Sequence, residues 1–125
     1  MSKSLSSSLA LAAVVAVAVS GAAKADPAAG QLVFKQNCAV CHSVKPNQTL
    51  AAPTLYKVVG RKAGTQAGYP FSAAMKTSGI TWTKAELDVY LTKPRNKVPK
   101  TLMAFAGLPD AKKRADLIDY LATLK

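Results

Sequence analysis

Hydrophobic residues beyond position 26 fall into short clusters that are separated by polar stretches rich in Gly and Pro. In the two C-terminal clusters the apolar residues recur at intervals of three and four, which is typical of amphipathic helices, and no alternating run indicates a strand. In the first cluster Leu32, Val33 and Phe34 follow Gly30, whose missing side chain permits close approach of another element. The pattern therefore predicts an all-α domain. Its helices are expected at about Ala28–Gln36, at about Phe71–Ser78, from Thr83 to the residues before Pro94, and from Asp110 to about Leu124.

Residues at the ends of the clusters support these helix assignments. Thr83-Lys84-Ala85-Glu86 has the pattern of a capping box, and Asp110 is a suitable N-cap for the last helix. Ser72 stands near the predicted start of the short helix, and Gly79 can take the left-handed conformation that ends it.

The first 25 residues differ from the rest of the chain. Lys3 is followed by the run Leu9–Val19, which contains only Leu, Ala and Val and is too short to span a bilayer. The small-x-small sequence Ala23-Lys24-Ala25 comes next, as at a signal-peptidase site. We therefore interpret residues 1–25 as a secretory signal peptide cleaved after Ala25 and residues 26–125 as a single domain. The alternative is an uncleaved N-terminal anchor.

Two long stretches between the predicted helices, 43–69 and 94–109, contain several Pro and Gly residues and are predicted to be loops. A domain of about 100 residues with short helices and long loops buries little apolar surface of its own. The sequence therefore suggests that a bound group fills part of the core.

The amino-acid composition and the net charge exclude several classes of protein and of binding partner. The chain has two cysteines and 18% charged residues, which excludes a disulfide-dense scaffold and a disordered tail. Its net charge is +11, or +9 once Lys3 and Lys24 leave with the signal peptide. Export and the lack of basic residues interleaved with aromatic ones argue against nucleic acid, so an acidic protein surface is the expected partner.

Both cysteines and the only histidine lie in Cys38-Ala39-Val40-Cys41-His42, a C-x-x-C-H sequence. Two thiols at this spacing can each add to a vinyl group of one haem, while the adjacent imidazole binds the iron. A redox-active dithiol, half of a zinc site and a structural disulfide are the competing interpretations. The dithiol lacks its βαβ context, and a structural zinc site needs four ligands, for which the chain has no further Cys or His.

A second axial ligand would have to be a methionine, since His42 is the only histidine. Met103 lies in a loop long enough to reach the face opposite His42. Met75 lies inside a predicted helix, where we expect it to fill the core.

These residues occur in the same order as in a known family. The matching positions are Gly30, Phe34, the C-x-x-C-H sequence, Pro53, Leu55, Gly60-Arg61-Lys62, Gly64, Trp82, Pro94, Pro99, Thr101, Met103-Ala104-Phe105-Ala106-Gly107, Arg114, Leu117 and Tyr120. The chain resembles the class I c-type cytochromes, specifically the group of mitochondrial cytochrome c and bacterial cytochrome c2.

The resemblance implies a class I cytochrome c fold, with four to five short helices and long loops wrapped around one covalent haem c. It implies that Cys38 and Cys41 bind the haem, that His42 and Met103 ligate its iron, and that the Pro53 carbonyl supports His42. Candidate donors to the haem propionates are Arg61, Tyr69, Trp82 and Thr101.

The sequence departs from the family at four positions. Lys100 replaces a usual Gly before Thr101, which predicts a different turn if that position needs a positive φ. Phe71 replaces a Tyr that commonly binds a propionate, Leu102 replaces a common Lys, and Met75 replaces a common Asn.

The expected function is that of a soluble periplasmic one-electron carrier, not an enzyme, acting as a monomer with at most peripheral membrane contact. Expected partners are acidic docking surfaces on a membrane oxidase, a bc1-type complex, a photosynthetic reaction centre or a periplasmic dehydrogenase. The basic rim of the haem edge is predicted to comprise Lys35, Lys45, Arg95, Lys97 and Lys100. If Met103 does not ligate the iron, the alternative is a haem-based ligand sensor or a peroxidase-like enzyme.

We predict that the mature protein begins at Asp26, because Ala23-Lys24-Ala25 fits the specificity of signal peptidase. Intact-mass spectrometry of the exported protein should give the mass of residues 26–125 plus one haem. A mass equal to all 125 residues plus haem would contradict cleavage.

Overall fold

The structure is a computed structural model that describes residues 10–17 and 24–125. The rest of the predicted signal peptide, residues 1–9 and 18–23, lies outside the described residues. Residues 10–17 are exposed and form no helix or strand. Among the described helices, none has the length and apolar character needed to cross a membrane.

The described residues form five helices and no β-sheet, which confirms the predicted all-α class. The helices are α1 (Pro27–Asn37), α2 (Ala73–Lys76), α3 (Lys84–Thr92), α4 (Pro94–Lys97) and α5 (Ala111–Ala122). The only strand-like pairing in the described ranges is an isolated antiparallel bridge between Lys62 and Thr81.

Side-chain caps begin four of the helices. The predicted caps Ser72, Thr83 and Asp110 accept hydrogen bonds from the backbone N–H groups three residues later, at 3.0 to 3.1 Å. Asp26 caps α1 by accepting from the Ala28 N–H at 2.9 Å. The capping box at Thr83 is only half formed, because the Glu86 carboxylate pairs with Lys97 instead of turning back to Thr83.

The prediction that residues 94–109 form an uninterrupted loop was wrong, since α4 occupies its first turn. Pro94 ends α3 but also begins α4 at the first helical position, where its missing N–H has no intrahelical partner to lose. The Lys97–Glu86 ion pair, at 2.7 Å, ties this short helix to α3.

The most extensive helix–helix contact among the described residues is between α1 and α5. A Cβ atom placed on Gly30 would lie 1.9 Å from the Asp116 carbonyl oxygen, so only glycine allows the two backbones to approach this closely. Phe34 packs on Tyr120, with ring centroids 5.7 Å apart, and Leu117 of the same core cluster is 1% exposed. Leu32, expected to belong to the apolar cluster of α1, is instead 58% exposed because it lies on the outer side of the helix.

The segment between α4 and α5 is held against α3 by backbone contacts. The Leu108 N–H donates to the Leu91 carbonyl at 2.8 Å, and Gly107 lies so close to Thr92 that a Cβ there would be 2.1 Å from its carbonyl oxygen. Arg114 donates to Asp88 and to the Leu108 and Pro109 carbonyls, each at 2.8 to 2.9 Å.

The backbone of Lys100 does not have a positive φ, so the replacement of the usual Gly by Lys does not strain this segment. In the described part of the chain, the only non-glycine residues with positive φ are Asn47 and Lys57. The Thr101 N–H donates to the Val98 carbonyl at 2.9 Å, which closes a turn that Lys100 occupies without left-handed strain.

The contact at Gly30 predicts that Gly30→Ala lowers the free energy of unfolding by about 2 kcal/mol. Overpacking costs about 1–3 kcal/mol, the short distance places this site at the upper end, and the better helix propensity of Ala returns about 1 kcal/mol. Chemical denaturation followed by far-UV circular dichroism measures the difference. Gln31→Ala, on the exposed neighbouring position, is the control and should change the stability by less than about 0.5 kcal/mol. Equal stability of Gly30→Ala and wild type would show that the helices separate without cost.

Candidate functional site

An apolar cavity of about 330 Å³ lies between the end of α1, the segment around Pro53, α2, α3, α5 and the segment after α4. Its walls are mostly apolar side chains, with a few polar groups among them. All nine residues predicted from the sequence to form the site line this one cavity: Cys38, Cys41, His42, Pro53, Arg61, Tyr69, Trp82, Thr101 and Met103.

The C-x-x-C-H segment forms one wall of the cavity directly after α1. The Cys38 N–H caps α1 by donating to the Phe34 carbonyl at 2.8 Å. The N–H groups of Cys41 and His42 then both donate to the Cys38 carbonyl, at 3.1 and 2.9 Å. This turn brings the two thiols and the imidazole to the same side of the cavity.

The His42 ring is oriented by a backbone carbonyl. Its Nδ1 lies 2.7 Å from the Pro53 carbonyl oxygen, which can only accept, so Nδ1 carries the proton. Burial lowers the pKa of His42, the Pro53 hydrogen bond opposes this, and the positive charge of Arg61 lowers the pKa further. A neutral ring with Nδ1 protonated leaves the Nε2 lone pair available to a metal ion.

The Cys38 thiol does not have the lowered pKa of a redox-active cysteine. Both cysteines are half-buried and unbonded, so the disulfide alternative is not formed. Burial, with a smaller contribution from Cys41, raises the pKa of Cys38 to about 11, whereas a reactive dithiol requires a lowered pKa. Within residues 10–17 and 24–125, no three Cys, His, Asp or Glu side chains converge as a zinc site would require.

Met103 reaches the cavity from the segment after α4. Thr101 positions this segment: its hydroxyl pairs with the Tyr90 hydroxyl at 2.7 Å and accepts from the Met103 N–H at 3.4 Å. Met75, expected to fill the core, is 7% exposed in the core and also forms part of the cavity wall. Both methionines therefore line the cavity, but only Met103 comes from a loop.

Comparisons with known proteins agree with this geometry. The family model described as cytochrome c matches residues 27–125. The chain is 48% identical to cytochrome c2 of Rhodomicrobium vannielii over 81% of each chain. It is 49% identical to cytochrome c 2.1 of Caenorhabditis briggsae over 74% of this chain and 82% of that protein. The structure of cytochrome cH from Methylobacterium extorquens superposes with a TM-score of 0.74, at 46% identity, over 78% of this chain and 98% of that one.

The chain belongs to the cytochrome c family. Its fold is the all-α class I cytochrome fold, and it carries electrons through one covalently bound haem c. The C-x-x-C-H sequence, with Cys38 and Cys41, fits this form of attachment.

The polar groups of the cavity fit the cofactor of this cytochrome. Trp82 is 7% exposed and lines the cavity. An indole N–H is a hydrogen-bond donor only, so a carboxylate of the bound group can accept from it. Arg61 donates to the Thr54 carbonyl at 2.9 Å and to the Tyr56 carbonyl, so it also holds the loop that supports His42. Tyr69 packs edge-on against Phe71, with centroids 4.8 Å apart.

Tyr90 is a residue of this cytochrome's site that the sequence analysis missed. Its spacing within α3 indicated only a core position, yet its ring packs on Trp82 with centroids 4.8 Å apart and lines the cavity. Burial raises the pKa of Tyr90, opposed by its hydrogen bond to Thr101, so the hydroxyl stays protonated at neutral pH. The available signal was the hydroxyl itself, because a buried tyrosine in an apolar stripe needs a polar partner.

Proposed function

We propose that this cytochrome is a periplasmic one-electron carrier whose haem is attached at Cys38 and Cys41 and ligated by His42 and Met103. One observation carries the proposal: the C-x-x-C-H turn and Met103 line the same apolar cavity from different segments. The Pro53 carbonyl supports the assignment of His42, because it leaves Nε2 as the free nitrogen of the ring.

The haem supplies a one-electron iron couple when it is bound. The chain's residues provide the surroundings that set its behaviour. Apolar side chains such as Leu87, Leu91 and Leu117 line the cavity and exclude water, which disfavours additional positive charge within it. A thioether from Met103 is a weak donor to ferric iron, and both effects favour the reduced state.

Two protein ligands would also leave no open coordination position for oxygen or peroxide. This supports electron transfer over catalysis. Tyr90 and Thr101 contribute by holding the Met103 segment in place. Loss of Met103 from the iron would favour the alternative of a ligand sensor or peroxidase-like protein.

The proposed location and partners rest on the N-terminal sequence and on the relatives. A run of Leu, Ala and Val followed by Ala23-Lys24-Ala25 supports export. Bacterial relatives named cytochrome c2 support a carrier that meets other redox proteins. We propose that these partners are a membrane oxidase, a bc1-type complex, a reaction centre or a periplasmic dehydrogenase.

The surface next to the cavity supports docking to an acidic partner. Lys100 is exposed and directly precedes the cavity-lining residues Thr101 and Leu102. Val40 and Leu102, 87% and 56% exposed, provide apolar surface at the cavity walls. Lys97, also expected in the basic rim, pairs with Glu86 at 2.7 Å, so its charge is partly balanced within the protein.

Met103→Ala is expected to abolish the weak long-wavelength band from thioether to ferric iron and to lower the reduction potential, because the thioether ligand is lost. Absorption spectra of the oxidised protein and a redox titration measure both effects. Met75→Leu is the matched control. It conserves volume, should cost less than about 1.5 kcal/mol and should retain the band. Loss of the band in Met75→Leu alone would transfer the ligand assignment to Met75.

Electron exchange with an acidic partner is expected to slow as salt increases, because the Debye length falls from about 30 Å at 0.01 M to about 8 Å at 0.15 M. At low salt, Lys100→Glu should lower the bimolecular rate constant by about fivefold, since an exposed charge pair contributes up to about 1 kcal/mol and 1.4 kcal/mol is tenfold. Lys125→Glu, which is exposed but does not line the cavity, is the control. If the stopped-flow rates are independent of salt, or equal for the two variants, the net positive charge of the protein does not guide docking and serves solubility alone.

A further inference from the structure

The buried carboxylate of Asp116 joins the N-terminus of the domain to its last helix. Asp116 is 5% exposed, and its Oδ1 accepts a hydrogen bond from the Asp26 backbone N at 2.8 Å. Lys112, one turn earlier in α5, donates to the same oxygen. Asp26 and Asp116 are 90 residues apart in the sequence, so this contact is a tertiary one.

The nitrogen that contacts Asp116 is also the nitrogen of the predicted cleavage site. Hydrolysis of the Ala25–Asp26 peptide bond consumes one water molecule and leaves a carboxylate on Ala25. It leaves a primary amine on Asp26, which takes up a proton to become an ammonium group at neutral pH. The single amide N–H facing Asp116 is thereby replaced by a group with a positive charge and three N–H donors.

We propose that removal of residues 1–25 creates an ion pair between the α-ammonium group of Asp26, an exposed residue, and the buried carboxylate of Asp116, which fixes α1 against α5. The proposal rests on cleavage after Ala25, which belongs to the proposed function. It assigns a structural role to processing that is separate from export.

The charges around the pair support its formation. The groups that face Asp116 are Lys112 from α5 and, from the start of α1, Asp26. Before cleavage Lys112 alone balances Asp116, and the Asp26 carboxylate caps α1 by accepting from the Ala28 N–H. After cleavage two ammonium groups and two carboxylates lie together, so the network is neutral.

The ammonium group would be unfavourable at this place without Asp116. The N-terminus of a helix carries a partial positive charge, which repels a cation placed there and lowers its pKa. Asp116 reverses this balance because it is buried and only 2.8 Å from the nitrogen, where a charge-assisted hydrogen bond is stronger than that of an amide. Lys112 and the Asp26 backbone N–H already hold the pKa of Asp116 below its usual value, so the carboxylate is charged at neutral pH.

The proposed ion pair holds the helix that ends at the C-x-x-C-H turn. Asp26 precedes α1, Gly30 lies against Asp116 one turn later, and Cys38 caps the other end of the same helix. Fixing the start of α1 against α5 therefore steadies the wall of the cavity that contains both cysteines and His42.

The test compares the mature holoprotein with a variant that has one alanine inserted between Ala25 and Asp26. Cleavage at the unchanged site then gives a chain one residue longer, in which the Asp26 nitrogen is again an amide and the new amine lies outside the contact. Intact mass establishes each N-terminus independently of the ion pair. The α-amino pKa is measured by NMR titration of the reduced, diamagnetic protein, and stability is measured by chemical denaturation from pH 6 to 9.5.

In the protein that begins at Asp26, the α-amino pKa should be at least one unit above the usual 7.7 to 8.0, a tenfold or greater change in its protonation equilibrium. A group whose pKa is raised by folding stabilises the protein fully below its unfolded pKa and loses this effect as the pH rises through the folded pKa. The mature protein should therefore lose stability above about pH 8 relative to the inserted variant, whose α-amino pKa should stay at the usual value.

Asp116→Asn should return the α-amino pKa of the mature protein to 7.7 to 8.0 or below. Asp119→Asn, a change of charge on the same helix that removes only the surface pair with Lys84, should leave it raised. If Asp116→Asn does not fold, the inserted variant still tests the pair, because it retains Asp116. An unshifted α-amino pKa in protein shown by mass to begin at Asp26 would overturn the ion pair. A different N-terminus in the exported protein would overturn cleavage after Ala25 instead, and with it the route by which the pair forms.

Discussion

The contact between Gly30 and the Asp116 carbonyl determines the distance between α1 and α5, and the cavity depends on that distance. α1 ends at the C-x-x-C-H turn, and α5 contributes Leu117 and Leu121 to the lining of the same cavity. A side chain at Gly30 would push these two walls apart. The close backbone approach at Gly30 therefore also places the cysteines and His42 against the remaining core.

The second half of the site depends on how a segment without regular structure is held. From Val98 to Pro109 the chain contains no helix or strand, yet it is anchored at both ends. Near its start, Thr101 pairs with Tyr90 of α3, and near its end the Leu108 N–H donates to Leu91. Met103 lies between these anchors, so its position follows from contacts with α3 and not from local conformational preference. This also explains why Lys100 is tolerated, since the turn it occupies needs no positive φ.

The charged side chains of this cytochrome act at its surface and between its helices, whereas the apolar side chains form the core. Among the described residues no Lys or Arg belongs to the buried core, and the basic side chains with structural roles are those paired with acids or carbonyls. Lys97 ties α4 to Glu86 of α3, and Arg114 ties α5 to Asp88 and to the end of the Met103 segment. Lys100, which is exposed beside the cavity, has no such structural pairing among the described residues and is available to an external partner.

The sequence alone determined the class of fold and the cofactor from local patterns, and the family resemblance supplied the site residues that lie far from the C-x-x-C-H turn. Helical spacing and capping residues such as Thr83 and Asp110 act within a few residues, and the C-x-x-C-H spacing needs only one turn of chain. The order of Pro53, Trp82 and Met103 carried the resemblance that joined distant positions into one site. That information is present in a linear sequence.

Only the tertiary structure decided which residues serve two roles. Tyr90 has the helical spacing of a core residue, but its hydroxyl forms a hydrogen bond with Thr101 of a separate segment. The Glu86 carboxylate forms an ion pair with Lys97 at 2.7 Å and does not complete the capping box with Thr83. Leu32 is exposed because α5 covers a different side of α1. The Asp26 nitrogen meets Asp116 only once the two ends of the domain have come together. Each of these outcomes depends on a partner distant in sequence, and hydrophobic spacing records only that a residue is buried, not which polar group it will meet.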